Sequence, residues 1–135
     1  MTAPEMLMHR AKDERRAGDV AAAEASYAEA ASLAEIQELP HLRAHALRHV
    51  AELAAEQGAG ERALEAAEEA VAIYASDPGT HRLNVANARR VRALAFAALG
   101  RNEDSAQDWR AAREIYEALG IGAGVAECDR RLSPA

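Results

Sequence analysis

GDVAAAEASYAEAASL (residues 18–33), GAGERALEAAEEAVAI (58–73) and GRNEDSAQDWRAAREI (100–115) align with one another without a gap. Their leading glycines, Gly18, Gly58 and Gly100, are 40 and 42 residues apart. Five positions past each glycine stand Ala23, Ala63 and Ser105; twelve past stand Ala30, Ala70 and Ala112. Nine past stand Tyr27, Ala67 and Trp109, and fifteen past stand Leu33, Ile73 and Ile115. Seven before each glycine is an alanine: Ala11, Ala51 and Ala93. Small residues at fixed places let helices approach backbone to backbone, and large ones beside them fill the gaps between. Self-similarity at such a period is the mark of a repeat protein whose units bury their apolar faces on one another.

Working outward, each unit reads as two antiparallel helices joined at the glycine, the residue that most readily takes the left-handed conformation closing a helix. The spacing predicts helices over about 5–17 and 19–38, 41–57 and 60–76, and 81–99 and 102–119. Pro40 and Pro78 fall between units, where proline opens a helix rather than interrupting one. After GIGAG (120–124), read as a flexible joint, Ile121, Val125, Cys128 and Leu132 recur at i, i+4, i+7 and i+11. That is one apolar stripe on a short helix over about 122–133, suited to covering the last repeat. The expected fold is all-α in one domain over 1–135, with repeats at about 5–38, 41–76 and 81–119. Alanine dominates the apolar half of the composition and β-branched residues are sparse, which favours helix throughout.

The three aligned stretches resemble the turn and second helix of tetratricopeptide repeats (TPR). The period exceeds the common 34 residues and is similar to the long-repeat variety of kinesin light chains and many bacterial regulators. The resemblance covers about residues 5–132 and implies a right-handed α-α superhelix of three helix pairs with a C-terminal capping helix. Two positions depart from the pattern. Glu14 stands where the first helix usually has an apolar or aromatic residue, and Ala67 replaces the aromatic of the second helix.

Charge is sorted by helix. The three first helices hold ten Lys and Arg against five Asp and Glu, together with all five histidines. The second helices and their turns hold four against fifteen. The resemblance implies that first helices line a concave groove. Carried over by position, the groove-facing residues are Met8, His9, Lys12, Arg15 and Arg16; His45, Arg48, His49, Glu52 and Glu56; and Asn87, Arg90, Val91, Leu94 and Ala98. The groove is then basic on average, and the back is acidic. Among these, Lys12, Arg16, Arg48 and Arg90 are expected to supply charge to a partner. His45 and His49 would add hydrogen bonds, Asn87 backbone recognition, and Val91 and Leu94 an apolar pocket.

HLRAHALRHV (41–50) puts His41, His45 and His49 on one stripe of a helix. Three readings stand side by side: solvated polar residues, partner-binding groups, or metal ligands. Two histidines four apart can share an ion. His41 and His49 lie about 12 Å apart by helix rise, too far to share one. Arg89, Arg90 and Arg92 read either as a solvated face or as forks for carboxylates.

Other chemistries find no support. No phosphate loop, zinc-hydrolase motif or serine elbow is present, and GIGAG follows no strand. No catalytic role, cofactor or metal is therefore expected. The net charge of −6 argues against nucleic acid as a partner. Lone Cys128 cannot form an intrachain disulfide and reads as a buried small hydrophobe. No apolar run approaches bilayer length, and the first residues lack the apolar core of a signal peptide, so a cytoplasmic location without membrane attachment is expected. The expected function is a non-enzymatic protein–protein interaction module that takes an acidic peptide segment or a C-terminal carboxylate. The alternatives are a structural self-assembly unit, such as a homodimer, or a regulatory helper of a separate effector. Met6, Leu7 and Met8, adjacent in the first helix, favour self-assembly.

Overall fold

The computed structural model describes residues 1–134, which form seven helices and no strand. They are α1 (Ala3–Arg16), α2 (Val20–Ile36), α3 (Pro40–Glu56), α4 (Gly60–Ala75), α5 (Arg82–Ala98), α6 (Asn102–Ala118) and α7 (Gly122–Leu132). Each packs against the next in sequence, and α3 also packs against α5.

The helix ends follow from local chemistry. α1 starts two residues earlier than its spacing predicts, because Thr2 and Glu5 form a reciprocal cap. The Glu5 amide donates to the Thr2 hydroxyl, and the Glu5 carboxylate accepts from the Thr2 amide at 3.1 Å. Asp19 caps α2 by accepting from the Ala22 amide at 3.1 Å. α2 stops at Ile36, before the expected 38, because Glu38 adopts φ 58°. Gly18, Gly58, Gly100 and Gly120 all have positive φ, so each aligned glycine does close a helix. The GIGAG segment is not a joint throughout. Gly120 makes the turn, but Gly122 to Gly124 already belong to α7.

The repeated small residues lie in the core. Ala11, Ala23, Ala30, Ala51, Ala63, Ala70, Ala93 and Ala112 are all fully buried. Ser105 keeps the same close approach and donates to the Ala93 carbonyl at 2.8 Å. Tyr27 and Trp109 fill the spaces between helices, and Leu53 is likewise fully buried. Cys128 is buried with Ile121, Val125 and Leu132 against Trp109 and Tyr116, so α7 covers the end of the α5–α6 pair with its apolar stripe. Burial pushes the Cys128 thiol up from its ordinary pKa, which leaves it protonated and unreactive.

The departure at Glu14 has a structural partner: its carboxylate accepts from the Ser26 hydroxyl at 2.5 Å, joining α1 to α2. Two buried carboxylates likewise join neighbouring helices. Asp108 of α6, 2 % exposed, is held by Arg92 of α5 through two bonds of 2.8 and 2.9 Å and by Arg89 at 3.2 Å. Glu24 of α2 accepts from Gln57 and Arg62. Arg92 is therefore neither solvated nor a free carboxylate reader, while Arg89, more exposed, reaches the same Asp108 through one bond. Among the described residues, no helix is long and apolar enough to cross a membrane.

Candidate site on the odd-numbered helices

Helices α1, α3, α5 and α7 together present one face. On it lie four cavities that share lining residues. One of about 330 Å³ is lined by Arg48, His49, Asn87, Arg90 and Val91, with Tyr116 and Glu127. A second, of about 460 Å³, adjoins it at Glu52 and Arg90 and reaches Leu94 and Arg131. A third, of about 380 Å³ between α1 and α3, is lined by Met8, His9, Lys12, His41 and His45. A fourth, of about 500 Å³, contains Lys12, Arg15, Arg16, Tyr27 and His49. All nine residues that the sequence put forward thus border one run of cavities.

Their environments differ sharply. Arg90 donates to both carboxylate oxygens of Glu127 on α7, at 2.6 and 3.0 Å, and also to Glu52 on α3. Glu52 in turn accepts from Arg15 of α1 at 3.1 Å, and Arg15 reaches Glu56 at 2.7 Å. A continuous ladder of ion pairs therefore crosses the face, linking α1 to α3, α3 to α5 and α5 to α7. Burial works to raise the Glu52 pKa, but the hydrogen bond from Arg90 and the charges of Arg90 and Arg15 outweigh it and hold Glu52 below its ordinary value. Burial likewise opposes the Arg90 charge, and its bonds to Glu127 and Glu52 more than restore it.

Lys12 and Arg48 stand outside this ladder. Among the described residues neither has a carboxylate partner within ion-pair distance. An Arg48 terminal nitrogen donates to His45 Nδ1 at 3.0 Å, and its Nε is buried with no hydrogen-bond partner. Arg16 is exposed and lies 3.8 Å from exposed Asp13, a loose surface pair.

The histidine stripe divides into two parts. His41 Nε2 lies 2.8 Å from Asp77, beyond the end of α4, and its ring meets Tyr74 edge-on. His49 stacks on Tyr27 with centroids 4.5 Å apart and planes 10° from parallel, and His45 tilts against His49 at 5.0 Å. Burial, followed by the charges of Arg48 and Lys12, brings His45 down to a pKa of about 4. Burial, then His45 and Arg48, bring His49 to about 4, against the weaker opposing pull of Glu52. Both rings are neutral at neutral pH. Among the described residues no group of three or more His, Cys, Asp or Glu has a metal-binding arrangement.

On α5, Asn87 Oδ1 accepts from the Tyr116 hydroxyl at 2.6 Å, which fixes the amide at the cavity wall. Burial pushes the Tyr116 hydroxyl up to about 12, so it remains a donor. Val91 is 3 % exposed and belongs to the core more than to a pocket, whereas half-buried Leu94 lines the second cavity. Sequence reasoning missed Glu127 and Tyr116 as groove residues because α6 and α7 were read as back and cap. The one signal available was the i, i+4, i+7, i+11 stripe of α7, which leaves Glu127 off the buried line. No protein-family model matches this chain, and no curated protein matches it.

Proposed function

We propose that the chain is a non-enzymatic protein–protein interaction module of the TPR-like kind. In this reading it is a right-handed superhelix of three helix pairs and a cap, working in the cytoplasm, and the odd-numbered helices line its groove. The partner is an acidic peptide segment, or a chain end with its free carboxylate. The observation that carries this reading is the uninterrupted run of cavities on that face, with Lys12 and Arg48 uncommitted to any internal carboxylate. Arg is well suited to carboxylates because its planar fork matches them. Asn87 holds an amide at the wall beside it, where a peptide backbone would pass.

Fluorescence anisotropy with Asp- and Glu-rich decapeptides, with free or amidated C-termini, tests the proposal. Affinity is expected to fall as salt rises and to drop roughly tenfold in Arg48→Glu. Arg48 is the right position to change because Arg90 belongs to the ladder, and its reversal would strike the fold. Equal binding by wild type and variant at every salt concentration would remove the groove from consideration.

A second reading, self-association, draws on the N-terminal end of the stack, where Met6 is 60 % and Ile36 is 76 % exposed. Sedimentation equilibrium decides it: a concentration-dependent mass lost in Met6→Glu/Ile36→Glu supports a homodimer, and a constant monomer mass ends that reading.

A further inference from the structure

His45 and Arg48, one turn apart on α3, are joined by a bond that tolerates a single protonation state. A terminal nitrogen of Arg48 lies 3.0 Å from His45 Nδ1. A guanidinium has N–H donors and no acceptor. Nδ1 must therefore offer its lone pair, and the ring must be neutral with its proton on Nε2. A protonated ring would set N–H against N–H and one positive charge against another. Among the described residues this is the one hydrogen bond of the Arg48 guanidinium, whose Nε is buried with no partner. The place of Arg48 thus depends on His45 staying neutral.

The charges around His45 are mixed in sign. Its cavity is lined by Glu5, His9 and Lys12 of α1 and by His41 of α3. Glu5 is the negative group among them, its carboxylate bonded to Thr2, and His41 is engaged by Asp77. His49 packs against the His45 ring, and Tyr27 of α2 stacks behind His49. Burial, then the charges of Arg48 and Lys12, disfavour a proton on the ring. Glu52 stands one turn beyond Arg48 and lines a second cavity with it. Against burial, Arg90 and Arg15 keep Glu52 ionised further toward acid than an ordinary carboxylate. A displaced guanidinium therefore has an acceptor within one helical turn.

We propose that His45 and Arg48 form a proton-sensitive latch: the neutral ring holds the guanidinium, and a proton taken from solvent onto Nδ1 frees it to turn toward Glu52. The latch needs no ligand. Its consequence for the peptide groove, which rests on that reading, is that Arg48 is withdrawn from acidic ligands as pH falls.

The experiment follows the histidine and arginine nitrogen signals of the full chain by NMR from neutral pH to below about 4. At neutral pH, His45 is expected to carry its proton on Nε2 and a bare Nδ1. The Arg48 Nε–H signal is expected to move with the midpoint of the His45 ring, while circular dichroism shows unchanged helicity. Below that midpoint, Overhauser contacts from the Arg48 side chain are expected to pass from His45 to Glu52. His45→Asn puts an acceptor oxygen near the place of Nδ1 that does not titrate, so it should hold Arg48 across the whole range. Arg48→Met should raise the His45 midpoint from about 4 toward 6.5. A proton on Nδ1 at neutral pH would overturn the latch, and so would an Arg48 signal that stays still while His45 titrates. Loss of helicity at the His45 midpoint would also overturn it, because the ring would then be titrating in an unfolded chain. Peptide binding, or its failure, bears on the groove reading and leaves these signals untouched.

Discussion

His45 and His49 show how one kind of residue acquires different roles from its surroundings. On the same helix stripe, His41 finds a carboxylate and the other two find burial and positive charge. The pH consequence has a definite sign. A histidine whose folded-state pKa is lowered binds fewer protons folded than unfolded when pH drops below its ordinary value of 6.5. Stability is therefore full above that pH and declines as pH falls toward about 4. Discounted for partial exposure, each ring is expected to contribute about 1–2 kcal/mol to this decline. Urea unfolding across that window checks it: His45→Gln and His49→Gln should each flatten the slope, and an unchanged slope would count against buried neutral rings. Glu52 and Asp77, whose pKa values are also lowered, act in the same sense but further toward acid. Their stabilisation is present above the ordinary carboxylate range and is lost only as pH falls below it.

At the scale of elements, α7 is the informative case. It lies so close to α6 that a Cβ on Gly124 would stand 2.6 Å from the Tyr116 ring. Gly124→Ala should displace that ring, strain its bond to Asn87 and destabilise the docked α7 by about 1–3 kcal/mol. Hydrogen exchange should then quicken in α7 while α1 to α4 keep their protection. Gly60 is a similar close approach, against Leu99. The elements themselves were legible in the sequence. Aligned glycines placed the turns, recurrent alanines placed the buried faces, and the α7 stripe gave its orientation. What sequence could not supply was the pairing of side chains between helices. His41 meets Asp77, Arg90 meets Glu127, and Arg89 and Arg92 converge on Asp108. Each pair depends on how far one helix slides and turns on another, which composition and periodicity leave undetermined. Counting charge per helix therefore made the face look more uniformly basic than its geometry allows.

At the scale of the whole molecule, two systems hold the stack. One is the alanine-rich packing between consecutive helices. The other is the ladder through Arg15, Glu52, Arg90 and Glu127, which joins helices that are not consecutive. Glu52→Gln removes the carboxylate on which two arginines converge. It is expected to cost about 2–4 kcal/mol, since removing one partner strands the others. The same change should strengthen acidic-peptide binding by leaving Arg15 held by Glu56 alone and Arg90 by Glu127 alone. Thermal unfolding and peptide anisotropy on the same sample test both halves, and a loss of both stability and affinity would show that the ladder positions the face rather than masking it.

The ladder lies on one side of the stack only. The even-numbered side has a shorter link, from Glu24 of α2 to Arg62 of α4, and among the odd-numbered pairs α3 and α5 approach each other extensively. Such a strap acts like the string of a bow: its tension sets how far the limbs spread, while the limbs keep their own form. Dissolved ions screen the exposed Arg15–Glu56 end of this ladder more than its part-buried Glu52–Arg90–Glu127 centre, and affect alanine packing least. The spread of the helices on that side is thus coupled to the ionic medium, while the core beneath stays comparatively indifferent to it.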